Sequence, residues 1–166
     1  FGSGVEARAI DIFQCARDEY HRCRGKGRTA LILACISLAC MSCSVGVSDT
    51  EILNAASMEN KYRKNLNLQK KVIQTLYHSR NGHVIAQPKA EDYCVRICQI
   101  MNVGAQVTRL VRQQAMRVAS LEHLNAKSCR MIVAVSIIFL VRKRNLKIDI
   151  SKLCDAMSMT LSLIHI

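Results

Sequence analysis

The chain of 166 residues has no tryptophan, three phenylalanines, four tyrosines and a single proline. With so little aromatic bulk, a core must be built from Leu, Ile, Val, Ala, Met and Cys. One proline and seven glycines leave few helix breakers, which favours long uninterrupted helices over a turn-rich sheet. No stretch alternates convincingly like a strand. Residues 146–150 (Leu-Lys-Ile-Asp-Ile) alternate, but a run this short between helices reads as a loop. Carboxylates are also scarce, 12 against 24 Lys and Arg. They form no paired set for acid–base chemistry. The histidines (His21, His78, His83, His123, His165) are scattered, with no Ser or Cys and carboxylate in a catalytic pattern beside them. No glycine-rich phosphate loop follows a strand. No enzyme is expected.

What is present is apolar and basic. Half the residues are hydrophobic, enough for one ordinary domain or two small ones. The net charge of +12 points to an anionic partner: nucleic acid, an acidic protein face or a membrane surface. The nine cysteines are odd in number, and most lie in apolar helical stretches: Cys15, Cys35, Cys40, Cys94, Cys98, Cys154. They are read as reduced core residues of an intracellular protein. Cys40 with Cys43 and Cys94 with Cys98 have zinc-like spacing but not the turn geometry of a tetrahedral site, so no metal and no other cofactor is expected. Residues 29–48 carry no charge over 20 positions, a bilayer-spanning length. Their serines, the Val-Gly-Val break and a matching shorter run at 131–141 argue for two buried helices instead, and no membrane is expected. Phe1-Gly2-Ser3-Gly4 is read as a cloning scar or cut end.

The strongest signal is internal repetition. Shifting the chain by 101 residues lays 30–58 on 131–159 without a gap. Ile36 meets Ile137, Ala55 meets Ala156, Ser57 meets Ser158 and Met58 meets Met159. Each half opens with an amphipathic helix. Its stripe is Ala9, Phe13, Ala16, Tyr20 in the first half and Val107, Val111, Val118, Leu121 in the second. Then comes a helix apolar on all sides, 30–43 or 131–141, which must be enclosed by others. A short helix follows, 50–56 or 150–157, with Asp49 and Asp149 as expected N-caps. The first half continues with a helix at 59–78, carrying Tyr62, Leu66, Ile73, Leu76 and Tyr77. The second half has an extra opening helix at 90–101. The expected organisation is a first repeat at 5–80, a linker at 81–89 marked by Asn81-Gly82 and Pro88, and a second repeat at 90–166.

The basic residues cluster as Arg22, Arg24, Lys26, Arg28; Lys61, Arg63, Lys64, Lys70, Lys71; Arg109, Arg112, Arg117; and Arg142, Lys143, Arg144, Lys147. Most fall at helix ends or on exposed faces, where phosphates can be met.

Particular residues resemble the core of general transcription factor IIB, a family of two cyclin-like repeats. The first half carries Gly27-Arg28-Thr29, Ile36-Ser37-Leu38-Ala39-Cys40, Gly46-Val47 and Thr50-Glu51-Ile52. The second has Ala126-Lys127-Ser128, Ala134 with Ile137, Lys147, and Leu153 with Asp155, after an opening Gln106-Val107. The resemblance covers about residues 5–160. It implies an all-α fold of two cyclin-like repeats, each with a central enclosed helix, the first lacking its opening helix. It further implies a nuclear initiation factor, a monomer, that binds the TATA-binding protein and promoter DNA and bridges to RNA polymerase. On that pattern Lys61, Arg63 and Lys64 face the TATA-binding protein. Arg28, Lys127, Arg142, Lys143, Arg144 and Lys147 meet DNA. Two departures stand out: Ala126 replaces a glycine, and the segment at 160–166, where the family reads bases, has no Lys or Arg. A polymerase III-type relative and a kinase-activating cyclin-fold protein are the alternative readings.

Overall fold

The computed structural model describes residues 2–121, 128–145 and 148–157. Among the described residues it is all-helical, with nine α-helices, one 3-10 turn and no strand. The chain divides into two compact units, residues 1–87 and 88–166.

The first unit is built around α3 (Lys26–Ser42), which packs against α1 (Ser3–Cys15) and α5 (Arg63–Asn81). Nine α3 residues are buried, from Ala30 and Leu31 to Ala39 and Cys40, because apolar side chains occupy most of its circumference. The helix begins at Lys26, four positions before the apolar run itself. Ser3 and Gly4 belong to α1, and the Gly4 carbonyl accepts a bond from the Cys43 thiol at 3.8 Å. The expected long first helix breaks at the fully buried Ala16, and α2 (Arg17–Arg22) continues from there.

The short helix α4 (Asp49–Ala55) is capped by Ser48 rather than by Asp49. The Ser48 hydroxyl accepts from the Glu51 amide at 3.1 Å, and the Glu51 carboxylate accepts from the Ser48 amide at 2.8 Å. This reciprocal arrangement satisfies two amides that the helix cannot pair itself. Asp49 is released for another task. Its carboxylate accepts from Ser37 Oγ at 2.9 Å and from Lys70 Nζ at 3.0 Å, tying α3, α4 and α5 together in a largely dry place. Ser48→Ala is therefore expected to cost about 1 kcal/mol, read as a lower urea midpoint with an unchanged slope. Helix α5 stops where Gly82 takes a positive φ of 67° and returns its amide to the His78 carbonyl at 2.8 Å, a conformation that side-chain-bearing residues resist. Beyond it, Ile85 still contributes to this core.

The second unit comprises α6 (Ala90–Ile100), α7 (Ala105–Ala119), α8 (Cys129–Arg144) and α9 (Ile150–Met157). Asp149 caps α9, accepting from the amides of Ser151 at 2.9 Å and Lys152 at 3.2 Å. Its neighbour Ile148 is loop, while Leu146 and Lys147 lie outside the described residues. Shifting by 101 residues lays α1 on α7, α3 on α8 and α4 on α9, every end agreeing within three residues. The hydrophobic repeat in the sequence is thus matched by a repeat of helix boundaries.

Enclosure of the two central helices is incomplete. Ile32 of α3 is exposed, and so are Val135 and Phe139 of α8. Each helix therefore presents one apolar face that no described neighbour fully covers.

Candidate anion-binding interface

In the first unit two basic clusters far apart in sequence meet around one aromatic ring. Tyr62 closes the 3-10 turn Asn60–Tyr62 and leads into α5. The Lys26 ammonium, at the start of α3, donates to the Tyr62 hydroxyl and sits 4.5 Å from the ring centre. Lys61 Nζ lies 5.5 Å from the same ring. The ring's negative face attracts both ammonium groups and holds them close despite their repulsion. Arg63 and Lys64 are exposed in the first turn of α5. Arg28, one turn along α3, stacks 5.2 Å from the Tyr20 ring, and its Nε donates to the Cys23 carbonyl at 2.8 Å. Arg28 is thereby oriented while remaining exposed.

The starts of α3 and α5 both lie at this end, and neither has an acidic residue in its first turn or a side-chain cap. The amino end of a helix carries about half a positive charge and favours anions. α4 and α6 follow that rule with Asp49 and Glu51, and with Glu91 and Asp92. α3 and α5 break it with Lys26, Arg28, Arg63 and Lys64. Each misplaced cation costs some tenths of a kcal/mol in an isolated helix. A bound anion would turn that cost into attraction, because helix dipoles and cations would then act on the same charge.

One carboxylate intrudes. Glu59 pairs with Lys61 at 2.8 Å. That hydrogen bond and charge hold the Glu59 carboxyl below its ordinary range, with Lys26 adding to the effect. Both partners are well exposed, so an incoming phosphate can compete for Lys61 without a large desolvation penalty.

The turn that delivers Lys26 depends on Gly25, at φ 51° and ψ −128°, a combination open in practice to glycine alone. The sequence pattern flagged the neighbouring cations but gave no signal for this turn. By sequence pattern Tyr62 is only a helix-stripe residue. Lys70, counted among the basic cluster, is not surface charge at all, since it is committed to Asp49.

In the second unit Arg142, Lys143 and Arg144 form the exposed last turn of α8. Lys143 Nζ lies 5.7 Å from the Phe139 ring. Cations here complement the negative end of the helix, so they have a structural reason as well as an available charge. Lys127, Lys147, His123, His165 and the segment 160–166 lie outside the described residues.

None of the nine cysteines forms a disulfide, and among the described residues no three His, Cys, Asp or Glu side chains come together as metal ligands. Cys40 is buried whereas Cys43 is exposed. Burial pushes the Cys35 and Cys94 thiols up to about 12, and it raises Cys98 as well. A folded value above the unfolded one stabilises the fold fully below pH 9, and this contribution is lost as pH rises from 9 towards 12. At pH 8 a thiol reagent should therefore label Cys43 quickly, and Cys35 and Cys94 only as the protein opens. Mass spectrometry of a labelling time course distinguishes these rates.

Among the described residues no helix is long and apolar enough to cross a membrane. No protein-family model matches the chain, and no curated protein matches it.

Proposed function

We propose that the chain is a transcription-initiation scaffold of the factor IIB kind, with two cyclin-like repeats. In this reading it acts in the nucleus, gripping the TATA-binding protein on promoter DNA and helping to recruit an RNA polymerase. It works by electrostatic and shape complementarity rather than by bond chemistry. The observation that carries the proposal is the convergence at Tyr62. Arg28, assigned by resemblance to the DNA backbone, belongs to the same end of the first unit as Lys61, Arg63 and Lys64, assigned to the TATA-binding protein. A factor that must hold an acidic protein face and the adjoining phosphates together needs its cations on one surface. The helix boundaries that recur at 101 residues support a two-repeat plan of this type.

A gel shift tests the proposal. Promoter DNA with the TATA-binding protein should give a further, slower complex when the chain is added. Retention by a cyclin-dependent kinase, with no supershift on promoter DNA, would sink this reading in favour of the kinase-activating alternative.

A further inference from the structure

Arg28 is held differently from Arg8, Arg22 and Arg80 of the same unit. Those three are each paired with a carboxylate, that of Asp11, Glu19 and Asp18 in turn. Arg28 has two uncharged partners instead. Its guanidinium lies 5.2 Å from the centre of the Tyr20 ring, and its Nε donates to the Cys23 carbonyl at 2.8 Å. Neither partner cancels its charge.

Both supports are themselves fixed. The Tyr20 ring meets Phe13 edge to face, with centres 5.2 Å apart and planes at 72°, and His21 in the same way at 5.8 Å and 75°. Phe13 and Tyr20 also pack against the first unit's core. Cys23 ends α2, and its amide returns to the Glu19 carbonyl at 3.0 Å. The Arg28 backbone is braced as well, its amide donating to the Gly25 carbonyl at 3.0 Å. A guanidinium carries five N–H donors in one plane. With Nε committed, those on Nη1 and Nη2 remain, and they have no hydrogen-bond or ion-pair partner among the described residues. The side chain is exposed, so this edge is open to an incoming group.

We infer that Tyr20 is a positioning residue: its ring and the Cys23 carbonyl hold the Arg28 guanidinium so that Nη1 and Nη2 form a fixed two-pronged donor for one phosphate of a nucleic-acid backbone. This rests on the proposed reading of Arg28 as a DNA-backbone contact and adds how that contact is made. A phosphodiester presents two non-bridging oxygens, which match two parallel N–H donors. Lysine at this position carries the same charge but no planar fork, and it has no Nε–H for the Cys23 carbonyl. Side-chain freedom that an unsupported arginine loses on binding is already lost here, so less of the contact energy is spent on ordering.

The test compares the full chain with Tyr20→Phe, Tyr20→Leu and Arg28→Lys. Anisotropy reads the affinity for fluorescein-labelled duplex promoter DNA across salt concentrations. Tyr20→Phe keeps the ring and should bind like the unmutated chain. Tyr20→Leu and Arg28→Lys should each weaken binding by about tenfold. Their salt slopes should stay unchanged, because the same phosphates are still neutralised. Adding Tyr20→Leu to Arg28→Lys should cost nothing more, since the two act through one contact. A second measurement needs no DNA. In proton–nitrogen NMR the Arg28 Nε–H, identified by its absence in Arg28→Lys, should exchange slowly with water in the unmutated chain and in Tyr20→Phe, and quickly in Tyr20→Leu. Full affinity in Arg28→Lys, equal losses in Tyr20→Phe and Tyr20→Leu, or an Nε–H signal indifferent to Tyr20→Leu would overturn the inference while leaving a phosphate contact standing. A salt slope near zero in the unmutated chain would overturn that contact itself, and this inference with it.

Discussion

If the chain grips the TATA-binding protein as proposed, the double reversal Lys61→Glu with Arg63→Glu should weaken that complex on promoter DNA by about 3 kcal/mol, roughly a hundredfold. Both side chains are exposed, and neither belongs to the buried core, so the fold should survive and circular dichroism should be unchanged. The loss comes from two sources. The attraction of two cations for an acidic face disappears, and two carboxylates then confront that face alongside Glu59, which loses its partner Lys61. Like charges brought together across an interface cost several kcal/mol. Arg28→Glu should act differently, lowering the salt sensitivity of DNA binding while leaving the protein–protein contact largely intact. An undiminished ternary complex in the double variant would show that the partner-facing surface lies elsewhere.

The second large effect is on stability. Leu38 is fully buried in the middle of α3, between the helices α1 and α5 that the first unit is built from. Leu38→Ala removes packed methyl groups and leaves a cavity, with an expected cost of about 3 kcal/mol. Against a typical domain stability of about 5–15 kcal/mol, that is a large share. Ile32→Ala on the same helix should cost well under about 1 kcal/mol, because its side chain already faces water. Denaturant melts of the two variants separate them. Equal losses would mean that α3 is not buried on the face described.

The contrast between Leu38 and Ile32 also marks where the sequence could be read and where it could not. Apolar periodicity placed helices over α1, α5, α6 and α7, because burial of one face imposes a 3.6-residue rhythm on the order of residues. A run apolar on all sides implied full enclosure, yet periodicity cannot tell a covered face from one awaiting a partner. That is why Ile32, Val135 and Phe139 were expected inside. Local competition was equally hidden. Ser48 and Asp49 are both good caps, and the choice fell to Ser48 because Asp49 gains more from Lys70 and Ser37 across the core. Lys70 looked like surface charge for the same reason, its partner lying 21 positions away. The break at Ala16 had no signal, alanine being the best helix former.

The candidate interface was legible as a list of cations but not as a place. Lys26 and Tyr62 are 36 positions apart, and only the packing of α3 on α5 brings their ends together. The aromatic ring that gathers Lys26 and Lys61 was indistinguishable in sequence from a stripe residue. Composition gave the sign of the chain's own charge, and the fold brings Lys26 and Lys61 to one ring.

The most direct measurement is the affinity of the full chain for fluorescently labelled promoter DNA across a range of salt concentrations. Phosphate binding by the Tyr62 end gives a straight line of log affinity against log salt, falling by about 0.9 for each phosphate neutralised. At least three such contacts are expected, a slope of about −2.7 or steeper, and Arg28→Glu should make it shallower by about one contact. A slope near zero, or one that Arg28→Glu and Lys26→Glu leave untouched, would contradict a phosphate-binding role for this surface.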